Sequence, residues 1–166
     1  VYATGFEVGT GFQRVSGFEI YGRDGLSLGD KWADGIRTLH GMHIHGFPHC
    51  FLMSTIQGGF TGHYPQIHDE VATHVAHIVG HALAIEKEVV ETSAKAEAGW
   101  VQTILDKGVR GGVIGDETCT PGYYNNEGKP REHFEQMVSY GDGPIPFFNL
   151  LAQWRDTGDF AGLTID

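Results

Sequence analysis

The 166-residue sequence predicts an α/β fold, on three observations. Its first 65 or so residues are rich in glycine and carry short apolar or alternating runs without a helical period. From about Gln66 apolar residues recur at helical spacing, and the chain closes on a β-prone run, Leu163-Thr164-Ile165. With 40% hydrophobic residues the chain is long enough to bury one domain-sized core.

The elements follow in order. Phe18 to Tyr21, Thr38 to Ile44 and Cys50 to Met53 are expected as short strands between turns. Gly22-Arg23-Asp24-Gly25 supplies one tight turn, and Gly46-Phe47-Pro48-His49 another, because proline fixes its own φ and biases the residue before it toward extended geometry. Val71, Val75, Ile78, Val79 and Ala82 mark the core face of a helix from about Gln66 to Leu83. A second helix, Ala94 to Lys107, places Ala98, Val101, Ile104 and Leu105 together behind an N-cap candidate at Thr92-Ser93. Residues 108–146 return to glycine, proline and asparagine, and are expected as a long ordered loop on a larger body, with a short helical stretch near Glu132 to Val138. Pro146 to Arg155 reads as a last amphipathic helix before the terminal strand. There is no internal repeat and no low-complexity tract.

Charge and cysteine usage narrow the function classes. Eleven basic against 21 acidic side chains give a net charge of -10, which repels phosphate backbones and anionic headgroups, so neither nucleic acid nor a membrane surface is an expected partner. Cys50 and Cys119 form no C-x-x-C pair, and a reducing cytoplasm fits them best. No apolar run is long enough to span a bilayer, so no membrane insertion is expected. The opening Val1-Tyr2-Ala3-Thr4-Gly5 reads as the end of a buried strand entering a glycine turn, so the chain is expected to be a piece of a longer protein.

Ten histidines raise the alternative of a metal-binding helical module. At 100° per residue, Glu70, His74, His77 and His81 fall in one sector of roughly 60° that could ligate zinc or iron. The apolar stripe occupies another side of the same helix, so these histidines are expected as a solvated face and no metal site is assigned. His40, His43, His45 and His49 are likewise expected to be solvated or hydrogen-bonded. A G-x-S-x-G elbow, a Walker loop and H-E-x-x-H are all absent, which leaves hydrolase, nucleotidase and zincin readings without support.

Four segments carry a resemblance. Val1-Tyr2-Ala3-Thr4-Gly5-Phe6 resembles the A-T-G-F/Y strand and turn at which flavin-containing and Baeyer-Villiger monooxygenases return from the NADPH domain to the FAD domain. Lys31-Trp32-x2-Gly35-x2-Thr38, then Gly41-Met42 and Gly46-Phe47-Pro48-x-Cys50-Phe51, look like the family's K-W-x-x-G segment and its G-F-P-N-x-F approach to a buried strand. The third is Gln57-Gly58-Gly59-Phe60-Thr61 leading into a helix. The fourth, Cys119-Thr120-Pro121-Gly122-Tyr123-Tyr124-Asn125-Asn126-Glu127-Gly128-Lys129-Pro130, resembles a C-terminal loop of Baeyer-Villiger enzymes acting on bulky ketones. Taken in this order they cover nearly the whole chain. His49 stands where the family usually has asparagine, and Ser54-Thr55 where it usually has Gly-Pro. The G-x-G-x-x-G fingerprints, the catalytic arginine and the F-x-G-x-x-x-H-x-x-x-W signature of such enzymes are not in this chain.

The resemblance implies the C-terminal part of a flavoprotein with two dinucleotide-binding, Rossmann-like domains: an incomplete sheet with C-terminal helices and a long loop. Residues 1–90 would complete the FAD domain with the A-T-G strand, short strands and a flavin-facing helix, and residues 91–166 would pack on it as C-terminal helices and loop. It implies FAD and NADP as cofactors, held mainly by parts this chain lacks. The implied reaction inserts one oxygen of O2 into a ketone to give an ester or lactone, and the chain by itself is not expected to catalyse it. A heteroatom-oxidising flavin-containing monooxygenase is the alternative within the same fold. Thr4 and Gly5 are the expected cofactor-adjacent backbone, and Gly59, Phe60 and Thr61 the flavin edge and pocket wall. No residue is assigned as a catalytic group. The residues themselves allow this: Gly58 and Gly59 let backbone approach a planar ligand, and a helix starting near Pro65 would aim free N–H groups at what precedes it.

Overall fold

A computed structural model describes residues 16–108, 120 and 133–166. Among these residues the regular elements are four α-helices and one two-stranded sheet, with two short 3-10 turns at Arg23–Gly25 and Phe134–Gln136. The helices are α1 (Leu28–Lys31), α2 (Tyr64–Ala84), α3 (Ala94–Lys107) and α4 (Pro144–Thr157), and the strands are β1 (Val90–Thr92) and β2 (Leu163–Ile165). The mixed α/β class therefore holds, but helices dominate.

Each helix begins and ends for a local reason. The Ser27 hydroxyl caps α1 by accepting from the Asp30 N–H, and the Ser93 hydroxyl caps α3 through the Ala96 N–H. Prolines in the first turn start α2 and α4, where a missing N–H has no consequence, and α4 stops at Gly158, whose φ of +67° few side chains tolerate. β1, which the sequence did not announce, pairs antiparallel with the expected β2, in the register Val90 with Ile165 and Thr92 with Leu163.

The three strands expected before residue 54 are not strands. Only single bridges form there, joining Tyr21 to Ser27, Leu39 to His43, and His43 to Phe51. Positive φ at His40 and Gly41 (+54° and +74°) curls the Thr38 to Ile44 run back on itself, so that the Leu39 N–H bonds the His43 carbonyl and the His43 N–H the Leu39 carbonyl. An extended ladder cannot continue through a left-handed pair.

The main core lies between α2, α3 and α4. Ile67, Val71, Ile104, Phe147 and Leu151 are almost wholly removed from water and pack with Trp100; burying an aliphatic or aromatic side chain of this size stabilises the fold by about 1.5–3 kcal/mol. A second cluster, Ile78, Ala82, Val90 and Phe160, fastens the far end of α2 to the sheet, and a third, Leu28, Ile44 and Phe47, holds α1 under the early loops. The buried Glu97 carboxylate on α3 joins these parts, accepting from Lys31 Nζ at 2.8 Å and from the His45 N–H at 2.9 Å. Among the described residues no helix is long and apolar enough to cross a membrane.

The helix face assigned from sequence needs one correction. α2 buries Val71, Ile78 and Ala82 as expected, but also Ile67 and His74, while Val75 is half-buried and Val79 exposed. At 100° per residue His74 stands only about 40° from Ile78, and Val79 about 100° from it, so geometry overrides side-chain polarity. His77 and His81 do lie at the margin, stacked on the Phe160 ring at 5.4 and 4.0 Å between centroids.

Candidate functional site

The segment Ser54 to Thr61 runs from the main core out to the first turn of α2, and its geometry is set by Gln57. This side chain is fully buried and its backbone has a φ of +58°. Its carboxamide oxygen accepts from the Thr38 N–H (3.1 Å) and the Thr38 hydroxyl (2.7 Å), and its nitrogen donates to the carbonyls of Ile36 (2.7 Å) and Gln136 (2.9 Å). Its own N–H reaches the Val138 carbonyl, and its carbonyl accepts from the Trp100 indole N–H, both at 2.9 Å. One residue later, the Gly58 carbonyl accepts from the Tyr140 N–H at 2.8 Å.

Gly59 follows. A Cβ built on it would stand 2.7 Å from Phe147 Cδ1, so this position lacks a side chain to admit the buried Phe147 ring. On this side the glycine serves the packing of the core. At Phe60 the chain leaves the interior: its ring is 48% exposed and meets Tyr64, 50% exposed, edge to face at 6.1 Å between centroids. Thr61, half-buried, accepts from the His63 N–H through its hydroxyl at 3.3 Å. α2 then begins with no side-chain bond from its N-cap His63; Pro65 has no N–H and the Gln66 N–H donates to the His63 carbonyl at 3.1 Å, so the Tyr64 amide and the positive end of a 21-residue helix dipole stand beside this strip. Phe60 and Thr61 therefore begin a surface strip that follows directly on the buried Gly59, while Thr4 and Gly5 lie outside the described residues.

The strip fits one edge of a flavin. An uncapped helix start suits the pyrimidine edge, which becomes negative on reduction, and the uncovered Phe60 and Tyr64 rings suit a planar apolar neighbour. It does not fit a whole FAD, because nothing in the sequence offers a pyrophosphate cradle.

The other cluster of chemically capable groups is internal. His40, His43 and His74 are buried together, with His40 and His43 each about 6 Å from the His74 ring. His40 and His43 were expected to be solvated or hydrogen-bonded and His74 to lie on a solvated face, yet His40 Nδ1, His43 Nε2 and both His74 nitrogens are buried with no hydrogen-bond partner among the described residues. Trp100 packs edge-on to His40 at 4.9 Å, and Trp154 covers His74 at 4.7 Å. Burial lowers the His40 pKa to about 3, with His43 adding repulsion, and lowers that of His43 to about 4. Burial, followed by repulsion from His40, His43, Arg155 and His77, drives His74 down as well. All three are neutral at pH 7. Among the described residues no group of three or more His, Cys, Asp or Glu side chains is arranged to hold a metal ion.

Sequence reasoning did not single out Gln57 as the residue that fixes this turn. Its partners lie 19, 21, 43 and 79 residues away, and no local pattern reports such pairings. The available signal was a large polar residue directly before a Gly-Gly pair.

No family model matches the chain. It is similar to neopentalenolactone D synthase of Streptomyces avermitilis, 41% identical over 99% of this chain and 28% of that protein. It is also similar to a Baeyer-Villiger monooxygenase of Stachybotrys chlorohalonatus, 36% identical over 100% of this chain and 27% of that one. Among solved structures it resembles the polycyclic ketone monooxygenase of the thermophilic fungus Thermothelomyces thermophila, with 29% identity and a TM-score of 0.75 over 91% of this chain and 24% of that protein. The chain spans little more than a quarter of the length of the curated relatives it matches.

Proposed function

We infer, of a chain homologous along its whole length to the C-terminal part of Baeyer-Villiger monooxygenases, that it completes the flavin site of an NADPH-dependent enzyme that converts a ketone and O2 to an ester or lactone. The observation that carries this reading is the strip from Phe60 to Tyr64, which follows on the buried turn fixed by Gln57 and is left uncovered beside an uncapped helix start.

When bound, FAD supplies the transfer of reducing equivalents from NADPH to O2; the dinucleotide-binding folds that hold it and NADP belong to parts this chain does not contain. This chain's residues have three tasks. Thr4 and Gly5 lie as backbone against the cofactor where the strand returns from the NADPH domain. The positive end of the α2 dipole, with the Tyr64 amide, stabilises negative charge at the flavin edge. Phe60 and Thr61 wall the ketone pocket and exclude water, which favours oxygen transfer over release of hydrogen peroxide. Residues 1–90 then complete the FAD domain, and residues 91–166 pack on it as C-terminal helices and loop. A small-molecule ketone and O2 are the reaction partners, and a reducing cytoplasm suits the lone thiols.

The test is to express the full-length protein and assay it with cyclohexanone, with a bulky polycyclic ketone and with an aryl sulfide. Ester or lactone formed in step with NADPH oxidation is the expected result. Turnover of the sulfide alone would point to heteroatom oxidation.

A further inference from the structure

We propose that Gln57 is a positioning residue for oxygen transfer: its carboxamide locks the turn that carries Gly59, Phe60 and Thr61, and so sets where those residues stand against flavin and ketone. The inference rests on the proposed function.

A primary amide offers two acceptor lone pairs and two N–H donors, and here all four are used inside the protein. A residue needed only to fill the core would be a leucine or methionine, which requires no partners. Three of the four bonds instead end on backbone atoms of Ile36, Thr38 and Gln136, two loop segments that no regular ladder holds, and draw them to one point. The positive φ of Gln57 adds to the case, since a non-glycine residue stays in the left-handed region only where its surroundings over-determine it, and such positions gather at ligand sites. Stiffness reaches Gly58 and Gly59 through the Tyr140 N–H and the Phe147 ring. It then stops, for Phe60 is half-exposed. Exposed side chains on an immobilised base are placed well, and a site whose support is loose misplaces its reactants.

The reaction offers a readout that a merely structural role would not move. In productive turnover ketone, O2, NADPH and a proton give ester, water and NADP+; in uncoupled turnover O2, NADPH and a proton give hydrogen peroxide and NADP+. In the full-length holoenzyme, Gln57→Met keeps the volume and removes all four bonds. The peroxide share of the NADPH consumed should rise about tenfold with either ketone, while the flavin-to-protein ratio and the rate of flavin reduction by NADPH stay near wild type. Wild-type coupling in Gln57→Met overturns the proposal. Should that variant be insoluble, Thr38→Val removes only the hydroxyl bonds to Gln57 and Gly41 and should raise peroxide in the same direction; coupling unchanged there, or loss of soluble holoenzyme in both variants, assigns Gln57 to the fold alone. A wild-type enzyme that makes no ester from either ketone defeats the proposed function itself, whatever the variants do.

Discussion

Phe60 leaves about half of its ring uncovered while the two residues before it are buried, and that contrast separates what it does for stability from what it does for the reaction. Among the described residues its ring partner is Tyr64, itself half-exposed, so truncation removes little buried area. In the full-length enzyme Phe60→Ala should lower stability by no more than about 1 kcal/mol and leave flavin content intact. Ketone preference, or the ratio of ester to hydrogen peroxide, should shift, because a pocket wall one methylene larger or smaller already changes discrimination about tenfold or more. Thermal melting and product analysis on the same preparation check both halves. Soluble yield and all activity lost together would make Phe60 a core residue of the assembled protein.

At the scale of the element, α2 is the informative case. Its stripe runs Ile67, Val71, His74, Ile78 and Ala82, at separations of four, three, four and four residues, and faces α4 and the early loops. His74 fills space against Trp154 and His40 like an aromatic core residue. His74→Ala should therefore open a cavity and cost about 2–4 kcal/mol, whereas His77→Gln, on the exposed side of the same helix, should stay within about 0.5 kcal/mol apart from a weakened stack on Phe160. Chemical denaturation of the two variants measures this directly, and equal costs would mean that the helix is rotated relative to its partners.

For the whole molecule the buried histidines predict a dependence on pH. An unfolded histidine titrates near 6.5, while burial holds His40 at about 3 and His43 at about 4, with His74 also lowered. Groups with a depressed pKa of this kind bind more protons unfolded than folded as the pH drops below 6.5. Stability then rises with pH across that window, is complete above about pH 7, and is lost on acidification toward the folded values. Well below pH 6.5 each such histidine contributes a slope of about 1.4 kcal/mol per pH unit. His74 faces His40, His43, His77 and Arg155, so protonating one member raises the cost for the next. Melting temperatures between pH 7.5 and 5 should fall steeply, and His74→Leu should flatten the dependence; an unchanged slope would remove His74 from the titrating set. A second expectation concerns the chain by itself. One flavin edge without a pyrophosphate cradle gives too little contact for tight binding, so a fluorescence titration with FAD should show no submicromolar affinity.

What the sequence determined by itself was what is written locally or as ordered motifs. The spacing of Val71, Ile78 and Ala82, the Ser93 cap and the Leu163-Thr164-Ile165 run announce α2, α3 and β2, because backbone period and capping depend on neighbours a few residues away. The four motif segments announced the kinship with Baeyer-Villiger monooxygenases, because their order is itself information in the chain. Tertiary structure alone decided the rest. The strands expected before residue 54 gave way to single bridges, since left-handed residues turned the chain. His40, His43 and His74 went inside despite their polarity, because the wheel of α2 and the curl at Gly41 point them there. The role of Gln57 exists only once residues 36, 38, 100, 136 and 138 have met around it, and a hydrogen bond across 79 residues leaves no trace in either sequence around its ends.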